Sequence, residues 1–143
     1  MSGILVGIDG SEHSKRALEW AVREASIRHA PLTVITVNQA VAGFAGPVAY
    51  PGDSDRAGHA RQVAEQETNA ILEKAGSRPP AVTVTAVTGL PAEEILNAAA
   101  DADLVVVGSR GAGGFKRLLM GSVSTQVTHH ARCPVVVIPA EDA

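Results

Sequence analysis

The chain alternates between two hydrophobic rhythms. Residues 4–8 (ILVGI) form an unbroken apolar run that ends in Asp9-Gly10-Ser11. A short run without polar interruption predicts a strand buried on both faces. Residues 14–28 then switch to helical spacing: Ala17, Ala21 and Ala25 recur every four positions, with Leu18 and Val22 beside them. Asp9 or Ser11 is placed to cap that helix, because either side-chain oxygen can accept from a free N–H of the first turn. A second β-branched run, residues 32–37 (LTVITV), follows Pro31.

Residues 38–53 are rich in Gly, Ala and Pro and have no period, which predicts an irregular loop of the kind that serves as a lid or stays mobile. Helical spacing returns over residues 58–75 through Ala60, Val63, Ala64, Ile71 and Ala75, with a gap at Glu67. Gly76 and Pro79-Pro80 end it. Residues 82–87 (VTVTAV) alternate like a strand. Pro91, Glu93 and Glu94 then mark a helix start, since proline suits the first turn and acids suit the positive end. Ile95, Leu96 and Ala99 supply its buried side. Residues 103–107 (DLVVV) predict a fourth strand, residues 108–121 a glycine-rich connection, Ser122 to Ala131 a helix, and Val135 to Ile138 a fifth strand.

Alternation of strand and helix implies α/β architecture: a five-stranded parallel sheet, four helices on its two faces, doubly wound and Rossmann-like. Right-handed crossovers leave 3-2-1-4-5 as the expected strand order. No repeat, linker or second domain is legible, so residues 1–143 are expected to be one nucleotide-binding domain.

Composition supports this and excludes other classes. Apolar residues make up 45% of the 143 positions but aromatic ones only 3%, so the core is built from Val, Leu, Ile and Ala. Twelve basic residues against fifteen acidic give a net charge of −3, a poor footprint for nucleic acid. No apolar run approaches bilayer length, and the first residues lack the form of a signal peptide. Cys133 is the single cysteine, which fits a reducing compartment. These points predict a cytoplasmic protein without a membrane partner.

In open α/β sheets, ligands bind beyond the carboxyl ends of the strands, where the order reverses. That crevice falls between Asp9-Gly10-Ser11 and Gly108-Ser109-Arg110-Gly111. The glycines are spaced Gly108-x2-Gly111-x9-Gly121, followed by Ser122. Glycine permits positive φ and lets backbone N–H groups approach a phosphate closely. Ser122, Val123 and Ser124 then open a helix, whose free amides and positive dipole end suit an anion. The hydroxyls of Ser122 and Ser124 are candidates to add hydrogen bonds to phosphate oxygens.

The chain resembles the universal stress proteins over nearly its full length. The resemblance is carried by ILVGIDGSEHS, by VVVGSRGAGGFKRLLMGSVS and by CPVVVIP. The G-x2-G-x9-G-S spacing is similar to the pattern of the family's ATP-binding branch. The resemblance implies ATP as ligand, with magnesium as an optional companion. It implies that Asp9 lies near the adenosine or a metal, and that Val37 meets adenine through its backbone. Gly108, Arg110 and Gly111 would line ribose and phosphates, and Gly121, Ser122, Val123 and Ser124 would hold the phosphates. It further implies a homodimer in which Val135, Val136, Val137 and Ile138 pair with their copies.

Other polar residues point to no second chemistry. His129 and His130 are adjacent on a helix and face different sides, which does not suit a shared metal. Lys116 is not followed by Ser or Thr, so it is not a P-loop lysine. Cys133 reads as a small buried hydrophobe. No Gly-x-Ser-x-Gly or His-Glu-x-x-His occurs, and no base for phosphoryl transfer is legible. The expectation is an ATP-dependent regulatory module in a stress response, acting through a protein partner. The alternatives are an ATP-dependent enzyme, such as a slow ATPase or a transferase, and an interaction protein that binds no nucleotide.

Overall fold

The computed structural model of the chain describes residues 3–39, 41–43, 46–48, 53–109 and 121–139. Five parallel strands form the central sheet: β1 (Ile4–Ile8), β2 (Leu32–Gln39), β5 (Val82–Gly89), β6 (Leu104–Gly108) and β7 (Val135–Ile138). Their order in space is β5-β2-β1-β6-β7. Counting only the strands of this sheet, that is the expected 3-2-1-4-5. Helices α1 (Glu12–Arg28) and α2 (Asp53–Lys74) join with one face, and α3 (Pro91–Ala98) and α4 (Ser122–His130) with the other.

The two central strands explain the sheet. All five residues of β1 are buried, as are Leu104 to Val107 of β6. On one face Ile4, Val6 and Ile8 meet Leu18, Ala21, Val22 and Ala25 of α1. On the other, Leu5, Val105 and Val107 meet Ile95 of α3 and Val127 of α4. Each fully buried Val or Leu contributes roughly 1.5–3 kcal/mol, so unbroken apolar runs are needed where both faces are covered. Ala17, Ala21 and Ala25 are fully buried, and their small side chains let α1 lie close to the sheet. A Cβ on Gly7 would stand 2.9 Å from Ile95 Cδ1, so glycine there lets α3 pack down.

Helix α1 starts and stops as its chemistry dictates. Ser11 is the N-cap, accepting from the Ser14 N–H at 3.2 Å. Its far end turns through His29, which takes φ 54° and ψ 41°, while the Ala30 N–H returns to the Ala25 carbonyl at 2.9 Å. That is a Schellman-type closure with histidine in the seat glycine usually takes.

Several boundaries differ from the sequence pattern. Strands β2 and β5 each run two residues further than their apolar cores, because Asn38 pairs with Thr88 and Gln39 with Gly89. Within the stretch expected to be irregular, β3 (Val41–Gly43) and β4 (Gly46–Val48) pair antiparallel, Val41 opposite Val48. Three-residue strands are too short to show a period. Helix α2 begins at Asp53, five residues before its apolar stripe becomes visible. A 3₁₀ turn at Ala99–Asp101 follows α3, and it holds Ala99. Gly108 closes β6 opposite Ile138 rather than opening the connection. Cys133 is half-buried against the α3/α4 face, and burial followed by the charge of Asp103 pushes its thiol pKa up.

Candidate functional site

The order of strands puts a crevice between the carboxyl ends of β1 and β6. From β1 the chain leaves through α1 on one face, and from β6 through α4 on the other. The two departing chains therefore diverge at this point and leave an opening.

One wall is the Asp9-Gly10-Ser11 turn. Gly10 takes φ 83°, a conformation that favours glycine. The Asp9 carboxylate accepts from both the amide and the hydroxyl of Ser11, while the Asp9 N–H donates to Ser14 Oγ at 3.2 Å. Ser14 Oγ in turn donates to the Ser11 carbonyl at 3.0 Å. Of the two candidate caps, Ser11 caps α1 and Asp9 orients Ser11. The Asp9 side chain itself is exposed at the rim.

The opposite wall is the end of β6 and the start of α4. A Cβ on Gly108 would stand 3.1 Å from the His13 carbonyl oxygen, so glycine there serves the close approach of α1 to β6. Gly121 has φ −82° and ψ 175°, an extended conformation open to any residue. Positive φ is thus the reason for glycine at Gly10, and not at Gly121. The Ser109 carbonyl accepts from the Gly121 N–H and, at 2.9 Å, from Ser124 Oγ. Helix α4 has no side-chain cap and no acid in its first turn. Its amide ladder starts with Thr125 N–H to the Gly121 carbonyl, and the amides of Ser122, Val123 and Ser124 have no partner among the described residues.

These facts sort the candidates. Asp9, Gly10, Ser11, Gly108, Gly121, Ser122, Val123 and Ser124 are brought to one crevice. Val37 lies at the same sheet end: the pairing of β1 with β2 stops at Ile8–Thr36, one residue before it, and its side chain packs toward the α3/α4 face. Arg110 and Gly111 lie outside the described residues. Val123 packs its side chain into the α4 face, so only its backbone is available to a ligand. The hydroxyl of Ser124 differs from expectation. It is buried, with 2% exposure, and its single proton is engaged by the carbonyls of Ser109 and Gly121. Ser122 is exposed and keeps its hydroxyl at the surface.

Glu67, on α2, is a group the pattern reading left as a gap. Burial raises its pKa above the ordinary carboxylate value; Lys15 opposes that rise, and the charges of Asp9 and Glu12 add to it. Its signal in the sequence was an acid within the stripe Ala60, Val63, Ala64, Ile71. The α1 side of the crevice thus carries Asp9, and Glu12 paired with Lys15 at 3.3 Å, whereas the first turn of α4 has no acid. Among the described residues no group of three His, Cys, Asp or Glu is arranged to hold a metal ion, and no helix is long and apolar enough to cross a membrane.

A hollow of about 510 Å³ lies at the other end of the sheet, lined by Ile4, Leu5, Pro31, Thr33 and Asp101 among others. It adjoins the end of α3, where helix carbonyls and Asp101 disfavour an anion. The crevice at the carboxyl ends has the chemistry the hollow lacks.

Fold and crevice together define a doubly wound α/β protein with an open switch point. The universal stress protein family matches residues 1–139, and the chain belongs to that family. A universal stress protein of Mycolicibacterium smegmatis is 36% identical over 143 residues, covering 98% of this chain and 49% of its own length. The chain spans about half the length of the curated relatives it matches. Among solved structures, the universal stress protein UspA from Lactobacillus plantarum superposes with a TM-score of 0.78 at 26% identity, covering 96% of this chain and 97% of that one. A universal stress protein in complex with cAMP (TM-score 0.68, 24% identity, 96% of each chain) shares the fold. So does the Archaeoglobus fulgidus protein in complex with dAMP (TM-score 0.65, 24% identity, 96% of this chain and 98% of that one).

Proposed function

We propose that residues 1–143 form an ATP-binding regulatory unit whose nucleotide state governs a protein partner in a stress response. The observation that carries this reading is the uncapped, acid-free start of α4 beside the β1–β6 crevice. Three amides at the positive end of a helix, without a partner among the described residues, offer donors to phosphate oxygens. The G-x2-G-x9-G-S spacing that leads into it supports ATP among the adenine nucleotides. Two proteins of the same fold are solved with cAMP and dAMP; at their identity they speak for the fold, and those ligands are theirs.

The electrostatics orient the ligand. Phosphates belong at the α4 end, with Ser122 Oγ and the amides of Ser122, Val123 and Ser124 as donors. The Asp9 end suits hydroxyls that donate to its carboxylate, with Val37 and its backbone beside the base. Gly108, Gly111 and Arg110 complete the proposed set. Magnesium would be held mainly by phosphate oxygens and water, since Asp9 is the one acidic member of this set and such partial coordination is usual for that ion. A cytoplasmic location goes with this reading, supported by the single cysteine.

Titration calorimetry with ATP, ADP, AMP, cAMP and adenosine tests the proposal. Affinity is expected to fall as phosphates are removed. Adenosine binding as well as ATP, or no binding at all, would remove it. Rapid release of ADP in a turnover assay would instead favour an ATP-dependent enzyme.

We also propose a homodimer through β7. It is an edge of the sheet, and Val135, Val136 and Val137 are only half-buried. An apolar edge strand is a template for pairing. Val136→Glu is expected to yield monomers in light scattering; an unchanged mass would count against this edge.

A further inference from the structure

The hydroxyl of Ser124 is spent inside the protein, and what it holds is informative. Ser124 lies at the third position of α4, yet it is 2% exposed. Its Oγ donates to the Ser109 carbonyl at 2.9 Å, with the Gly121 carbonyl at 3.1 Å as a second acceptor. The same Ser109 carbonyl accepts from the Gly121 N–H. Both lone pairs of one carbonyl at the end of β6 are thus filled by the start of α4. Ser109 is 4% exposed, and its own N–H donates to the Ile138 carbonyl of β7 at 2.8 Å. Ser109 follows β6 and Gly121 precedes α4, and these bonds tie the two together.

We infer that Ser124 is a positioning residue. Its bond to Ser109, with that of Gly121, forms a latch that fixes the first turn of α4 against the end of β6 and aims the amides of Ser122, Val123 and Ser124. This rests on the nucleotide reading above, and it assigns Ser124 a different task from the expected one: the hydroxyl holds the phosphate-binding turn and does not touch phosphate. A buried hydroxyl bond is strong enough for this: without it the Ser109 carbonyl keeps only the Gly121 N–H, and the turn loses one of its two ties to that carbonyl. A direct phosphate ligand would need a hydroxyl proton that the structure shows already engaged.

The test compares the full chain with Ser124→Ala and with Ser124→Thr, which restores a hydroxyl. Ser124→Cys, of similar volume but a far weaker donor, serves if the alanine variant does not fold. Amide hydrogen exchange is measured on the free proteins, and affinity for ATP, ADP and adenosine by calorimetry. In Ser124→Ala, exchange at Gly121 is expected to rise about tenfold, as for loss of one buried hydrogen bond. ATP and ADP affinity should fall by a similar factor, adenosine affinity should hold, and threonine should restore both. Weaker ATP binding with unchanged exchange would mean direct contact with phosphate and would overturn the inference. So would faster exchange with no loss of ATP affinity, or with an equal loss for adenosine. If the unaltered protein binds no nucleotide, the reading of the site fails, and exchange at Gly121 still decides whether the latch exists.

Discussion

Two helices begin at the same crevice and are finished in opposite ways. Helix α1 is closed: Ser11 caps it, Asp9 orients Ser11, and Glu12 sits in its first turn. Helix α4 is open: Gly121 has no side chain to offer, its first turn has no acid, and three amides have no partner among the described residues. Helix dipoles make both starts positive. The protein caps one with its own oxygens and gives the other no side-chain cap, as the proposed phosphate site requires. The difference teaches that a fold can keep a helix start available to an anion by withholding a cap as much as by supplying donors.

The strongest way to break this contrast is to close α4. Gly121→Asp places a carboxylate at its N-cap, which any backbone can hold at φ −82°. ATP affinity is expected to fall on the order of a hundredfold or more, because the carboxylate takes the amides and repels phosphate. Thermal stability should hold or rise slightly. Calorimetry together with a melting curve checks both, and retained affinity would place the phosphates elsewhere.

Opening α1 should act the other way. Ser11→Ala removes the cap and is expected to cost about 1 kcal/mol of stability, seen as a Tm lower by about 3–5 °C. ATP affinity should change by less than about fivefold, through looser placement of Asp9. A large loss of affinity with an unchanged Tm would show that Ser11 is a ligand group and not a cap.

The smallest effect concerns charge. Glu67 has a raised pKa in the folded protein, so the native state binds its proton more readily than the unfolded chain does. That preference stabilises the fold at low pH and is lost as pH rises through the folded pKa, leaving an unfavourable charge at neutral pH. Glu67→Gln is expected to raise Tm by about one to three degrees at pH 7. The gain should vanish below about pH 4, under the ordinary glutamate pKa. A gain that persists in acid would assign it to packing.

Much of this was legible in the residues. The unbroken runs ILVGI and LVVV, set against the four-residue spacing of Ala17, Ala21 and Ala25, determined parallel strands and their covering helices, because a strand buried on both faces tolerates no polar position. The strand alternation also implied the order that sets the ends of β1 and β6, with Asp9 and Gly108, side by side. The full length of β2 and β5, the β3–β4 hairpin and the start of α2 depended on backbone partners that leave no side-chain period. Tertiary structure alone decided that Gly108 yields to His13, that Glu67 is partly buried with a raised pKa, and that the Ser124 hydroxyl turns inward to Ser109. Local pattern fixes which residues are buried, whereas the partner of a buried hydroxyl is set by which carbonyl the fold brings within 3 Å of it.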